Sequence, residues 1–298
     1  MPSISWGDYG QADEQSGGVE PASLDHQPCC MNDNTHLVRT LRLLRVGLLI
    51  LSGVATAVFL YPLLDEKARA RRKKRWSQIL LDILGVGVEA DLAHITPGCL
   101  IVANHISWLD IFVINAVLPS AFVSKAEVRN WPVIGWLAAV NETVFLRRGS
   151  RGHARLVNEE ISEILHADKH VVVFPEGTTT DGLRLLSFHG ALIQPALAAG
   201  RPVSPLALSY WEADGERSLA PRYDGDISFA DCLKSIASRQ RLRARLQSLP
   251  ILGTAGEDRR AVAKAAHTAI AQAILLQLGA DAVQEDGTSE RSEVLAIA

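Results

Sequence analysis

An α/β layer fold preceded by a membrane-associated helix is the class this sequence predicts, and three observations predict it. Short apolar runs alternate with helically spaced ones from about Val86 to Pro250, the pattern of strands interleaved with helices. An uncharged run of 19 residues, Val46 to Leu64, precedes them. Ten Lys or Arg crowd into Arg39–Arg75 against two acids, Asp65 and Glu66. The net charge of −3 hides this asymmetry. A basic cluster beside an apolar run predicts membrane lipids, and no nucleic acid, as the polyanionic partner.

The chain has 298 residues and is 48% hydrophobic, enough for one large domain or two small ones. Residues 1–35 are rich in Gly, Ser, Asp, Glu, Gln and Pro without an apolar period, and read as a disordered tail. No signal-peptide apolar region lies close to Met1. Residues 36–88 read as a membrane-associated helical segment. At 1.5 Å per residue, Val46–Leu64 reaches roughly 28 Å, just enough to cross the hydrocarbon core. Three arginines precede it and seven Lys or Arg follow, which places the following domain on the cytoplasmic side of the inner membrane. Two glycines and Pro62 weaken it as a straight span, so a helix lying within one leaflet is the alternative. Trp76 and the run Ile79–Val88 are expected to form a second helix against the bilayer.

Residues 89–250 carry the α/β pattern. Candidate strands are Cys99–Ala103, Ala121–Ser124, Thr143–Leu146, His170–Phe174 and Val203–Leu208. Ile106–Leu118, Gly152–Ala167 and His189–Ala199 have helical spacing, with Pro195 shortening the last. A C-terminal helix is expected within 251–280, opened by the capping-box form Thr254–Glu257 and stopped by Gly279. A polar tail, 281–298, follows. The four cysteines, Cys29, Cys30, Cys99 and Cys232, form no C-x-x-C and no spaced metal set. A disulfide framework is not expected.

Chemistry concentrates at three strand ends. Asn104 and His105 follow the strand Cys99–Ala103, and Asp110 stands five residues beyond His105. An imidazole moves protons near neutral pH, and a nearby carboxylate fixes its tautomer. An Asn–His pair at a turn is also an ordinary satisfied polar pair. In Val171–Gly182, Pro175 and Gly177 force a turn that leaves Glu176, Thr178 and backbone N–H groups at the strand's end, a form that suits an anion nest. Leu183–Arg184 stand where a Walker A loop has Lys-Ser/Thr, which excludes a nucleotide P-loop. Thr143–Gly149 delivers Arg147 and Arg148, whose planar guanidinium groups suit phosphate; a solvated basic turn reads the same. Lys125 ends another strand, and Trp131, Ile134 and Trp136 after it fit an acyl groove, a membrane contact or a core. No Gly-x-Ser-x-Gly elbow is present. His166 and His170 lack a shared helix face for zinc.

Together these segments resemble the glycerolipid acyltransferases related to bacterial lysophosphatidic acid acyltransferase. Asn104-His105-x-Ser107-x-x-Asp110 is similar to the family's His-x-x-x-x-Asp motif, and Phe145-x-x-Arg148 to its second motif. Phe174-Pro-Glu-Gly-Thr178 resembles the third and Val203-Ser-Pro205-Leu the fourth. Lys125, Trp131-Pro132 and Gly135 fit the segment between the first two. The likeness covers about residues 90–210. It departs at Glu142, where the second motif usually opens with Gly, and at Thr179, where the third usually has Arg. Thr178-Thr-Thr-Asp-Gly182 is similar to a branch acting on lyso-ornithine lipid.

The resemblance implies a mixed sheet flanked by helices, like that of glycerol-3-phosphate acyltransferase. It also implies acyl transfer from acyl-CoA or acyl carrier protein to the hydroxyl of a lysolipid acceptor, lysophosphatidic acid first and lyso-ornithine lipid second. His105 and Asp110 would be catalytic. Asn104, Ser107, Lys125, Arg148, Glu176, Gly177 and Thr178 would bind substrate. The thioester donor is already activated, so no metal or cofactor is expected. A non-catalytic membrane-anchored lipid-binding protein is the alternative from another class. The joint presence of His105, Asp110 and Glu176 argues against it.

Overall fold

A computed structural model describes residues 33–147 and 151–285. The elements in chain order are α1 (Asp33–Ala55), α2 (Glu66–Leu84), β1 (Val86–Asp91), β2 (Leu100–Ala103), α3 (Asp110–Val117), β3 (Ala121–Lys125), α4 (Ile134–Val140) and β4 (Val144–Leu146). They continue with α5 (Arg151–His166), β5 (Val171–Val173), α6 (Gln194–Ala199), β6 (Val203–Glu212), α7 (Phe229–Ser238), β7 (Leu242–Ser248) and α8 (Arg259–Glu285). The strands form one seven-stranded sheet in the order β1-β7-β6-β2-β5-β3-β4. Only β6–β7 is antiparallel; the other neighbours run parallel. The sheet is therefore mixed, with helices on both faces.

Strands β2 and β5 are buried on both faces, as their unbroken apolar sequences require. Ile101 and Ala103 pack with α1–α3 and α7, while Leu100 and Val102 pack with α5, α6 and α8. Because β2, β5, β3 and β4 run the same way, their C-terminal ends share one edge of the sheet. All three predicted chemical turns emerge from that edge.

Several boundaries differ from the sequence expectation. The run Ile79–Val88 is not one helix: α2 ends at Leu84, Gly85 adopts φ 76° as its cap, and Val86 begins β1. Its apolar face, Leu80, Leu81, Ile83 and Leu84, is buried in the protein core rather than laid on a bilayer. The helix predicted over Ile106–Leu118 starts only at Asp110. His189–Ala199 divides into a 3₁₀ turn, Gly190–Leu192, and α6, with Pro195 in the first turn of α6. Asp258, not Thr254, caps α8 through the N–H of Arg260 at 2.8 Å, while Thr254 Oγ1 donates to the carbonyl of Arg201. Helix α8 continues through Gly279 to Glu285.

The uncharged N-terminal run continues α1 through a π-turn, Thr56–Leu60, and a 3₁₀ turn, Tyr61–Leu63. Pro62, which has no N–H to donate, sits in the second turn. Val46 and Leu49 are buried, and Trp76 Nε1 donates to the carbonyl of Leu49 at 3.1 Å. Gly53 makes room for that indole: a Cβ there would lie 2.9 Å from Trp76 Nε1. Arg42 donates to the carbonyls of Ala237, Arg239 and Gln240 at the end of α7. On the far face Leu37, Leu41, Leu44, Leu48 and Leu51 repeat every three or four residues and are exposed. Helix α1 is thus docked along one side and bare along the other. Among the described residues His36–Leu63 and Arg259–Leu278 are long and apolar enough to cross a bilayer. The second buries Val262, Ala266 and Ile270 in the core cluster beside the sheet, while Leu275 and Leu276 are exposed.

Candidate active site

His105 stands just past the end of β2, and three sets of contacts hold it. Its Nδ1 lies 2.8 Å from Asp110 Oδ2. The same oxygen accepts the amide N–H of Ile106 at 2.8 Å and of Ser107 at 2.9 Å. Asp110 Oδ1 accepts the hydroxyl of Tyr210 at 2.7 Å. Asp110 is fully buried, and with three donors already on it, the N–H groups of Ile106 and Ser107 and the Tyr210 hydroxyl, the carboxylate faces Nδ1 as an acceptor. Nδ1 therefore carries the imidazole proton, which leaves the Nε2 lone pair as the base. Burial holds the Tyr210 hydroxyl well above its ordinary pKa, so it stays a donor.

The second contact fixes the ring plane. The imidazole stacks on Phe174 with centroids 3.9 Å apart and 11° between planes, and Phe122 backs Phe174 at 6.2 Å. The third fixes the main chain. The N–H of His105 donates to Glu176 Oε1 at 2.8 Å, and its carbonyl accepts the N–H of Thr180 at 2.8 Å. One loop, Phe174–Gly182, thereby grips both backbone groups of the histidine. Gly182, at φ 78°, lets the loop close on Ile106: a Cβ there would lie 2.6 Å from Ile106 Cδ1.

The other predicted residues divide into those that face inward and those that do not. Asn104 is buried and bridges β2 to β6, donating to the Leu208 carbonyl at 3.0 Å and accepting the Leu208 N–H at 2.8 Å. Ser107 is fully buried beside Cys232. Glu176, 4% exposed, has both oxygens engaged, the second by the N–H of Leu186 at 2.9 Å. Desolvation pushes its carboxyl up to about 7 against the backbone hydrogen bonds that lower it. Asn104, Ser107 and Glu176, which the resemblance implies as substrate-binding, are thus buried and brace the site through contacts within the protein. Thr178 is exposed, Gly177 has φ 70° and Lys125 is exposed at the end of β3. Arg147 is exposed at the end of β4; Arg148 lies outside the described residues.

The loop is also less of an anion nest than expected. The N–H groups of Gly177, Thr180, Gly182 and Leu183 are taken by Phe174 O, His105 O, Thr180 Oγ1 and Asp181 Oδ1. Thr179, which occupies the departure from the third motif, donates its hydroxyl to the carbonyl of Tyr223. Tyr223 in turn donates its N–H to the Ile106 carbonyl at 3.1 Å. Sequence reasoning missed Tyr210, Thr180 and Tyr223. Strand β6 runs six residues past the register Ala103↔Leu206, and that overhang carries Tyr210 to Asp110.

A buried acid orienting an imidazole at the C-terminal edge of a mixed sheet suits general-base chemistry. The chain belongs to the acyltransferase family, whose sequence profile matches residues 87–209. It is 42% identical over 173 residues to a lyso-ornithine lipid O-acyltransferase of Pseudomonas aeruginosa, covering 58% of this chain and 66% of that one. It is 40% identical over 166 residues to a 1-acyl-sn-glycerol-3-phosphate acyltransferase of Neisseria meningitidis, covering 55% and 65%. Those two matches span just under two thirds of the relatives' length. A lyso-ornithine lipid O-acyltransferase of Brucella abortus is 34% identical over 242 residues, covering 74% of this chain and 90% of that one. The fold is that of the 1-acyl-sn-glycerophosphate acyltransferase from Thermotoga maritima, with a TM-score of 0.60 at 18% identity, over 86% of this chain and 98% of that one.

Proposed function

We propose that this protein transfers a fatty acyl group from acyl-CoA or acyl carrier protein to the free hydroxyl of a lysolipid at a membrane surface. The observation that carries the reading is the 2.8 Å contact between His105 Nδ1 and the buried Asp110, whose other donors favour the proton on Nδ1 and leave Nε2 as the base. Nε2 takes the hydroxyl proton as the acceptor oxygen attacks the thioester carbonyl. The tetrahedral adduct then expels the thiolate, which recovers that proton from the imidazolium. Asp110 stabilises the transient imidazolium, and general-base help of this kind contributes ~10²–10⁴ in rate. The amides of His105, Ile106 and Ser107 are already bound to carboxylates, so donors to the oxyanion come from other groups. The mechanism needs no metal.

Lysophosphatidic acid, giving phosphatidic acid, is the first acceptor, with Arg148, Gly177, Thr178 and Lys125 as its binding residues. Lyso-ornithine lipid is the second reading. Thr179 favours it, because that position supplies a hydroxyl bound to Tyr223 rather than a guanidinium free for phosphate. The bare apolar stripe of α1, docked to the domain from Arg42 to Tyr61, supports a helix lying within one leaflet of the inner membrane, the domain being cytoplasmic.

The test is acyl transfer from both donors to each purified lysolipid in detergent. Loss of turnover in His105→Ala is expected; turnover that survives it removes the base. No transfer to any acceptor by the wild-type protein leaves a lipid-binding role instead. Arg148→Ala should weaken the phosphate acceptor more than the zwitterionic one, and equal loss for both removes its assigned role.

A further inference from the structure

We propose that the turn between β3 and α4, with the first turn of α4, is a second lipid-contacting surface that inserts Trp131, Val133, Ile134 and Trp136 into the bilayer interface. The inference rests on the membrane reading of α1. These four side chains lie within six residues and are 50%, 49%, 44% and 42% exposed. Single exposed apolar residues are ordinary, whereas a contiguous set rimmed by charge marks an interaction site.

The turn is built to hold them out. Val133 adopts φ 63°, a backbone region that a β-branched residue occupies at a cost. Gly135 lets α4 close on the preceding 3₁₀ turn, Ala126–Asn130: a Cβ there would lie 2.2 Å from the carbonyl oxygen of Arg129. The backbone thus packs inward while the apolar side chains stay outside.

Two features select a lipid surface as the occupant. The first is continuity with the membrane helix. The hydroxyl of Tyr61, in the turn that ends it, donates to Asn141 Oδ1 just after α4 at 3.0 Å. In the same turn region Phe59 and Leu63 are 76% and 80% exposed. The second is charge: exposed Lys125 and Arg129, with Glu127 between them, precede the patch, and exposed Lys67, Arg69, Arg71 and Arg72 outnumber Asp65 and Glu66 after the helix. Two indoles with basic neighbours match the interfacial zone of an anionic bilayer. The patch also follows β3, whose C-terminal end shares the sheet edge that bears His105.

The experiment uses the full chain with vesicles of phosphatidylethanolamine and phosphatidylglycerol carrying dibrominated acyl chains. Bromine quenching of tryptophan fluorescence in the wild type should exceed that in the Trp131→Phe/Trp136→Phe double variant. In Trp131→Ser/Trp136→Ser, acyl transfer on vesicles should fall ~10-fold while transfer in detergent micelles stays within about twofold. Equal quenching in wild type and Phe variant overturns the proposal. Equal loss of transfer on vesicles and in micelles assigns the patch to the acyl groove, and a halved sedimentation mass in the Ser variant assigns it to a second copy of this chain. Quenching is read without turnover, so failure of the catalytic reading is separable from failure of the lipid contact.

Discussion

The hydroxyl of Tyr210 reaches Oδ1 of Asp110 across 2.7 Å, from a strand one hundred residues further along the chain. Both groups are buried, so neither finds a substitute partner in water. The contact completes the set of donors around the acid that orients His105.

Removing it in Tyr210→Phe leaves a buried carboxylate oxygen short of a donor, at a cost of about 1–3 kcal/mol. Urea unfolding should show that loss. Acyl transfer should fall through kcat with KM for the acceptor nearly unchanged, since Tyr210 touches the acid and not the substrate.

Asp110→Asn should be more severe for turnover. The amide oxygen keeps the place of Oδ2, which also accepts the N–H groups of Ile106 and Ser107, and the NH₂ turns to the Tyr210 hydroxyl, so what is lost is the negative charge that stabilises the imidazolium. A loss in kcat of up to ~10²–10⁴, the range of general-base help, is expected. Thermal unfolding run alongside separates this from misfolding.

Glu176 sets a pH dependence of stability. Its folded carboxyl is raised to about 7 from an ordinary 4.5. Between these values the native state holds more protons than the unfolded chain, so stability falls as pH rises from 4.5 to 7 and levels off above. The shift corresponds to about 3 kcal/mol. Glu176→Gln should lose this slope. It should also lose one hydrogen bond, because its NH₂ would face a backbone N–H of either His105 or Leu186.

Glu142 pairs a costly backbone with useful charge. It adopts φ 65°, and its carboxylate meets Lys73 at 3.5 Å and Lys169 at 2.8 Å, while Lys169 also pairs with Glu66 of α2. The left-handed conformation explains why glycine is the usual residue in the second motif. Glu142→Gly should be more stable than Glu142→Ala by about 1 kcal/mol, the cost of a Cβ in that conformation. Equal melting temperatures would contradict this account.

The central strands were legible because apolar runs such as Leu100–Ala103 and Val171–Val173 are buried on both faces and carry no competing signal. Strand β7 was not, because its buried face is Leu242, Ala244, Leu246 and Ser248 between exposed-side arginines. Helix α7 was missed although Ser228 caps it by accepting the N–H of Asp231. At the site, the spacing of His105 and Asp110 was enough, since both lie at one strand-to-helix turn. Tyr210 was invisible because only the register of β2 against β6 brings it there. The burial of Asn104, Ser107 and Glu176 was hidden for a related reason. A polar residue at a turn reads alike in sequence whether it faces solvent or its own backbone, and burial decides which.

The grip of the Phe174–Gly182 loop on both backbone groups of His105 comes from Glu176 and Thr180, with the exposed Thr178 between them. An acceptor head group bound at Thr178, as proposed above, would press on the same short loop that holds the histidine. Discrimination between acceptors would then register in turnover as much as in affinity. A poorly fitting lipid could occupy the surface and still be passed over, which makes it a competitor rather than a slow substrate.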